Sequence, residues 1–152
     1  MANKFSWRTN QLLSIIPEQY DGALIMSEIN GRYFTGFNCD NGYFFVTRKG
    51  CVFVTDSRYT EAAQKAVDWC EVMEYSTPQM KETFGGVARK LGLNNIVVES
   101  DRMTLSQYRM MSDLLEPAAL CEDGGLDRLI ESLRVHKDSD EIACMKAALT
   151  NI

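Results

Sequence analysis

Hydrophobic and polar positions follow two different periods along this chain, and the two periods predict its helices and strands. Apolar residues at helical spacing, followed by a proline that stops the helix, predict a first helix over residues 3–16. Short apolar runs predict strands at residues 23–26, 43–47, 51–55, 69–75, 95–99 and 118–121. Further helices are predicted at residues 57–67, 77–91, 104–116 and 126–132.

The two central runs predict a β-hairpin, because Arg48-Lys49-Gly50 joins segments rich in aromatic and β-branched residues. Asn30-Gly31, upstream, predicts a turn. Asp56 or Ser57 is expected to cap the helix that follows the hairpin. Alternation of strands and helices predicts an α/β fold, in which a mixed β-sheet is flanked by helices on both faces.

Composition narrows the class of protein without identifying it. A chain of 152 residues predicts one domain, and a net charge of −5 argues against a nucleic-acid partner. The N-terminal residues lack the pattern of a signal peptide, and no apolar run is long enough to cross a membrane. Five scattered cysteines without CxxC spacing favour reduced thiols, so we expect a cytoplasmic protein with no membrane partner.

Few residues in this sequence form a pattern that indicates a catalytic or binding site. The common nucleotide, zinc-protease and hydrolase motifs are absent, and the one histidine, His136, is expected to be an exposed linker residue. Asp56 and Arg58 predict a local ion pair; the alternative is that Arg58 offers a cation to a substrate carboxylate. The loop over residues 37–42 is equally compatible with a binding loop and with an ordinary turn before a strand.

The last segment differs from the rest of the chain. Residues 133–137 predict a basic, extended connector, and Asp138 has the spacing of a helix N-cap. Ile142, Met145 and Leu149 then form an apolar helical stripe without an evident partner. Such a stripe indicates a domain boundary inside a longer protein or an interface helix.

Three segments of the chain carry a family resemblance. They are Tyr33-Phe-Thr-Gly-Phe37 with the following Asn41-Gly42, Val54-Thr-Asp-Ser-Arg-Tyr-Thr-Glu-Ala62, and Leu133-Arg-Val-His-Lys-Asp-Ser-Asp-Glu-Ile142. In order and spacing they resemble motifs of the N-terminal domain of the creatinase/aminopeptidase P/prolidase family.

The resemblance implies a ribonuclease-H-like domain over residues 1–132. Residues 133–152 would then be the interdomain linker and the start of the first helix of a catalytic domain that is absent from this sequence. The full-length protein would be a metal-dependent Xaa-Pro aminopeptidase or dipeptidase. Two divalent metal ions, manganese or cobalt, would bind to the missing domain, so this chain is expected to contain no catalytic or metal-binding residue and to be inactive alone.

The resemblance also implies the work of the N-terminal domain. It would pack against its own C-terminal catalytic domain, form a homodimer or a higher homo-oligomer, and shape an active-site entrance for short peptides with proline in second position. The residues expected at that entrance are Phe37, Asn38, Asp40, Asn41, Arg58 and Tyr59.

Departures from the family pattern leave part of the function open. Cys39 and Asp40 stand where many members have Gly-Ser, and the Asp-x-x-His-Glu-Arg loop of some prolidases is missing. Aminopeptidase and dipeptidase activity therefore both stay open, as does creatine hydrolysis. The alternative function is a non-catalytic protein-binding module on the same fold.

Overall fold

A mixed sheet of six strands lies at the centre of the computed structural model, which describes residues 3–151. The strands are β1 (Gly22–Ile25), β2 (Gly42–Thr47), β3 (Gly50–Thr55), β4 (Glu71–Glu74), β5 (Asn95–Val98) and β6 (Ala119–Cys121). Their order across the sheet is β4-β3-β2-β1-β5-β6. Strand β2 pairs antiparallel with β1 and β3, and the remaining pairs are parallel.

Helices cover both faces of this sheet. They are α1 (Lys4–Ile15), α2 (Glu28–Thr35), α3 (Thr60–Ala66), α4 (Met80–Lys90), α5 (Leu105–Leu115), α6 (Leu126–Arg134) and α7 (Ser139–Thr150), with a 3-10 turn at Thr77–Gln79. Buried side chains of α4 and α5 pack on one face, and those of α1, α2, α3 and α6 pack on the other. Successive strand residues point to opposite faces, so Leu24 belongs to the first layer and Ala23 and Ile25 to the second.

These elements confirm the predicted α/β class, the mixed sheet and the hairpin. Two boundaries are corrected. Helix α3 begins at Thr60, because residues 56–59 form a hydrogen-bonded turn in which the carbonyl of Asp56 accepts from the amides of Tyr59 and Thr60. Helix α6 continues to Arg134, so the connector that was predicted from residue 133 begins at residue 135. The boundary between domains at residue 132 stays a prediction.

The turn predicted at Asn30-Gly31 is wrong, because both residues lie inside α2. The hydroxyl of Ser27 caps this helix by accepting a hydrogen bond from the amide of Asn30 at 3.3 Å. Gly36 ends it in the left-handed conformation, with φ of 74° and its amide bonded to the carbonyl of Arg32. The side chain of Asn30 is buried and bonds elsewhere, so it does not compete with the helix backbone.

Gly36→Ala tests how firmly the end of α2 is fixed. We expect the free energy of unfolding to fall by about 1–2 kcal/mol or more, because alanine disfavours this left-handed backbone and its Cβ would lie 2.6 Å from the Phe5 ring. Gly31→Ala is the matched control, since nothing lies within 4 Å of its added methyl. It should stabilise the helix by roughly 0.5–1 kcal/mol. Urea unfolding measures both changes, and equal effects of the two substitutions would contradict the assignment.

Candidate functional site

Polar side chains collect at one edge of the sheet, where the five parallel strands have their carboxyl ends. Asp56 follows β3, Tyr75 follows β4 and Glu99 follows β5. Because β2 runs antiparallel to its neighbours, the loop over residues 37–41 that precedes it reaches the same edge. In open α/β sheets, ligands bind in crevices beyond the carboxyl ends of the strands.

A hydrogen-bonded network joins the loop before β2 to the turn after β3. The side-chain amide of Asn41 donates to the carboxylate of Asp56 and, at 2.6 Å, to the hydroxyl of Tyr75. Arg58 closes a two-point ion pair with Asp56, with Nε 3.0 Å from Oδ1 and Nη2 2.8 Å from Oδ2. These donors, Arg58 first, hold the pKa of the Asp56 carboxyl well below its usual range. The predicted local ion pair is confirmed.

Aromatic contacts complete this group of residues, which we call the loop cluster (Phe37, Asp40, Asn41, Asp56, Arg58, Tyr59 and Tyr75). The hydroxyl of Tyr59 donates to Asp40 Oδ1 at 2.6 Å, and this bond raises the pKa of Tyr59. The ring of Phe37 packs edge-on against Tyr59 with centroids 6.5 Å apart, and the guanidinium of Arg58 lies 5.1 Å from the Tyr59 centroid. The cluster therefore holds the loop against the turn.

The structure brings together five of the six residues predicted at a substrate entrance. Asn38 is the exception: it is exposed, and its side chain makes no hydrogen bond within residues 3–151. The side chain of Arg58 is 65% exposed, which leaves part of its guanidinium open to solvent. Whether these residues line an entrance stays a prediction.

A second polar group, around Arg8, was not found from the sequence. Only 6% of Arg8 is exposed, and its Nη1 donates to the carbonyl of Tyr33 at 2.7 Å. Its Nη2 donates to Asp138 Oδ2 at 2.5 Å, and its guanidinium stacks 4.1 Å from the Tyr33 centroid. Lys4 adds an ion pair with Asp138 at 3.3 Å. We call Lys4, Arg8, Tyr33 and Asp138 the linker clamp, because they tie the start of α7 to α1 and α2.

The position of Arg8 in the sequence could have indicated that this residue is buried and paired. It lies three residues after Phe5 and four before Leu12, on the apolar face of α1. A charged residue on a buried helix face is rarely tolerated unless it is paired. The capping box that was predicted at Asp138 is confirmed, with reciprocal bonds of 2.8 Å between Asp138 and Glu141.

Glu99 is a third polar centre, and it is 1% exposed. Its carboxylate accepts hydrogen bonds from the amides of Met26 and Ser27 at 2.6 and 2.9 Å, from the Ser27 hydroxyl at 2.5 Å and from the Asn30 amide at 2.7 Å. Arg134 Nη1 then donates to the side-chain oxygen Oδ1 of Asn30 at 2.8 Å. Every oxygen of Glu99 is used internally, which favours a structural role over acid–base chemistry.

The space around the linker clamp is a cleft of about 490 Å³, which borders exposed Trp7 and the linker residues Leu133 and His136. His136 is exposed, as expected. Within residues 3–151, no group of three or more His, Cys, Asp or Glu side chains is arranged to hold a metal ion. Over the same residues, every helix is too short or too polar to cross a bilayer.

Comparison with known proteins decides the family. The sequence profile of the Creatinase/Prolidase N-terminal domain matches residues 10–136. The chain belongs to this family. An uncharacterized peptidase, YqhT, of Bacillus subtilis is 31% identical over 128 residues, which are 84% of this chain and 35% of that protein. The chain thus spans about a third of the length of this curated relative.

Solved structures of family members agree with this fold. An Xaa-Pro dipeptidase from Bacillus anthracis superposes with a TM-score of 0.80 at 25% identity, over 98% of this chain and 44% of that one. The N-terminal domain of the cytoplasmic peptidase PepQ from Mycobacterium tuberculosis superposes with a TM-score of 0.71 at 28% identity, over 84% of this chain and 98% of that one. The ribonuclease-H-like fold expected for a creatinase N-terminal domain is the fold of this chain.

Asn41→Ala tests the centre of the loop cluster. We expect the free energy of unfolding to fall by about 1–3 kcal/mol, because Asp56 and the buried Tyr75 hydroxyl would lose a hydrogen-bond partner. Asn38→Ala is the matched control, and as an exposed residue it should change stability by no more than about 0.5 kcal/mol. Urea unfolding of the two variants would contradict the network if their losses were equal.

The lowered pKa of Asp56 predicts a pH dependence of stability. Its interactions stabilise the folded chain fully above the unfolded-state pKa of about 3.9. This stabilisation is lost as pH falls through the lower folded-state pKa. The difference in unfolding free energy between the wild type and Asp56→Asn should therefore be constant from pH 7 to about 4 and shrink below it. Urea unfolding at each pH measures this difference, and a difference that does not change below about pH 4 would contradict the prediction.

Proposed function

We propose that this chain is the non-catalytic N-terminal domain of a metal-dependent Xaa-Pro aminopeptidase or dipeptidase, and that it shapes the active-site entrance. Two findings support the activity: the chain belongs to the Creatinase/Prolidase N-terminal domain family, and its relatives include an Xaa-Pro dipeptidase and a putative Xaa-Pro aminopeptidase. The observation that carries the proposal is the loop cluster. It fixes an otherwise irregular loop against the turn after β3 at the carboxyl edge of the sheet.

The proposed entrance is a short surface that carries one negatively and one positively charged side chain. Asp40 and Arg58 are exposed, and Tyr59 lies between them with its hydroxyl on Asp40 and its ring beside Arg58. Such a surface would limit the length of peptide that reaches a reaction centre behind it. The exposed part of the Arg58 guanidinium would attract the carboxylate at the end of a short peptide.

In this proposal the metal chemistry belongs to the rest of the polypeptide. The described residues offer no metal site, so they do not fit a pair of metal ions. Two divalent ions, manganese or cobalt, would be bound by the catalytic domain. The N-terminal domain alone would then hydrolyse nothing, and its contribution would be to admit and orient short substrates.

Helix α7 would join the two domains. None of its side chains is buried, and Ile142, Met145 and Leu149 are 42%, 55% and 69% exposed. We infer that the catalytic domain covers this apolar stripe. The linker clamp would set the direction of α7, since Asp138 at its N-cap is bonded to Arg8. A homodimer or higher homo-oligomer and a cytoplasmic location complete the proposal, the latter supported by the likeness to cytoplasmic PepQ.

Hydrolysis assays on the full-length protein test this function. With manganese or cobalt, it should cleave short peptides with proline in second position and leave matched peptides with alanine there intact. Removal of metal by a chelator should abolish the activity. If no peptide is cleaved with either metal, the protein is not a peptidase of this kind and the binding-module alternative takes its place.

Asp40→Ala then tests the entrance itself. Loss of the bond to Tyr59 frees the loop, so kcat/KM for longer peptides should rise relative to that for dipeptides by about tenfold, or ~1.4 kcal/mol. Asp68→Ala, an exposed aspartate outside the cluster, is the control. An unchanged length preference in Asp40→Ala would contradict the assignment of the loop cluster to the entrance.

A further inference from the structure

A cleft of about 660 Å³ lies at a point where the direction of the chain changes across the sheet. Strands β1 and β5 are adjacent and parallel, but β1 leads into α2 on one face and β5 leads into α5 on the other. Ligands of open α/β sheets bind at such a switch point, beyond the carboxyl ends of the strands. Residues of α2, of α6, of the linker and of the loop after β5 line this cleft, which we call the switch cleft.

Charged side chains of both signs line the switch cleft and do not pair with one another. They are three carboxylates and three cations: Asp101, Asp127, Glu131, Arg102, Arg134 and Lys137. None of the six takes part in an ion pair within residues 3–151. A ligand of one charge would be attracted by one set and repelled by the other. A ligand that carries both an ammonium group and a carboxylate group would pair with both sets.

Asp127 gives a second, independent indication of a ligand. It is 7% exposed, and its Oδ2 accepts from the amide of Asp101 at 3.1 Å and from the hydroxyl of Ser100 at 3.5 Å. Its Oδ1 is buried and has no hydrogen-bond partner within residues 3–151. The position in the first turn of α6 accounts for a carboxylate but supplies no donor to Oδ1. Burial also raises the pKa of this carboxyl, and a cation beside it would favour the charged form.

The switch cleft also offers partners for a carboxylate and for an apolar group. Nη1 of Arg134 donates to Oδ1 of Asn30 at 2.8 Å, which holds this guanidinium in place and leaves its other N–H groups for a further acceptor. Arg102 is exposed, and a guanidinium pairs with a carboxylate through two parallel hydrogen bonds. Ile130, which is 1% exposed, and Ile29, which is 48% exposed, add apolar surface.

We propose that the switch cleft binds a small zwitterion, namely a free α-amino acid or a short peptide with an apolar side chain. The ammonium group of this ligand donates to Asp127, and its carboxylate pairs with Arg102 and Arg134. The site is separate from the proposed entrance, since no residue of the loop cluster lines the switch cleft. The inference does not depend on peptidase activity.

Photolabelling of the full-length protein tests the site. The probe is L-photoleucine, a free α-amino acid whose apolar side chain carries a diazirine, and mass spectrometry locates the adduct after irradiation. We expect an adduct on the peptides that contain Ile29 or Ile130. Excess leucine or leucylleucine should remove it, and the better competitor identifies the length of the ligand. N-acetylleucine and leucinamide, which carry one charge each, should compete at least about tenfold less well.

Two variants test the charged partners. Asp127→Asn and Arg102→Gln should each reduce the adduct by about tenfold or more, because each removes one charged partner of the ligand. Asparagine keeps the shape of the Asp127 side chain, and Arg102 is exposed, so we expect both variants to fold. Asp68→Asn and Arg109→Gln are the matched controls: these residues are exposed and do not line the switch cleft, so the adduct should be unchanged.

Several outcomes would overturn the inference. They are adducts confined to the loop cluster or to residues beyond 152, labelling that either Asp127→Asn or Arg102→Gln leaves unchanged, and competition by N-acetylleucine equal to that by leucine. Peptidase activity is measured separately. Labelling of the switch cleft without hydrolysis would refute only the proposed function, and hydrolysis without labelling would refute only this inference.

Discussion

The buried carboxylate of Glu99 is the interaction on which both polar regions of this domain depend. A carboxylate that is 1% exposed would be strongly destabilising without partners, and its four hydrogen bonds come from Met26 directly after β1, from the cap of α2 and from the first turn of α2. Two of the four donors belong to Ser27, which is also the N-cap of α2. The start of this helix is therefore fixed to the end of β5, and any shift of α2 would leave a buried carboxyl group without its hydrogen-bond donors.

Helix α2, which Glu99 holds in place, contacts both the linker region and the loop cluster. On one side Asn30 accepts from Arg134, and Tyr33 stacks on Arg8, so the helix forms part of the surface that holds the linker. At its other end Thr35 accepts from the amide of Phe37 at 3.1 Å, and Phe37 begins the loop cluster. One short helix thus contacts both the linker to a further domain and the loop proposed at the entrance. A displacement of the linker could not leave α2 unaffected without breaking the contacts of Asn30 or Tyr33.

The features that the sequence predicted correctly depend on residues that are close together in the chain. The strands follow from dense aromatic and β-branched runs, because both faces of the sheet are buried. The capping box at Asp138 needs only residues three positions apart, and it is present.

What the sequence did not predict depends on contacts between distant residues. Asn30 favours a turn by itself, but its side chain is taken by Glu99, 69 residues away, and the backbone is free to be helical. Arg8 finds Asp138 at a separation of 130 residues, which no local pattern encodes. Asp56 or Ser57 was expected to cap a helix, yet both oxygens of Asp56 are bonded to Arg58 and Asn41, and the helix begins only after Tyr59, without a side-chain cap. The residues expected at the entrance were named only through their resemblance to a family motif, and their role there stays a prediction.

Exposed apolar side chains lie around the linker and outside the core, so they bear on the proposed function of this domain more than on its stability. The core is closed on both faces of the sheet without any buried residue from α7. Trp7, Ile29, Val135 and Met145, which are 48–69% exposed, instead line the clefts around the linker. Because these residues contribute little to the core, a partner that covers them explains their exposed apolar surface better than folding of the domain does. The core therefore forms without α7, and we expect a partner to cover the exposed apolar surface beside the linker.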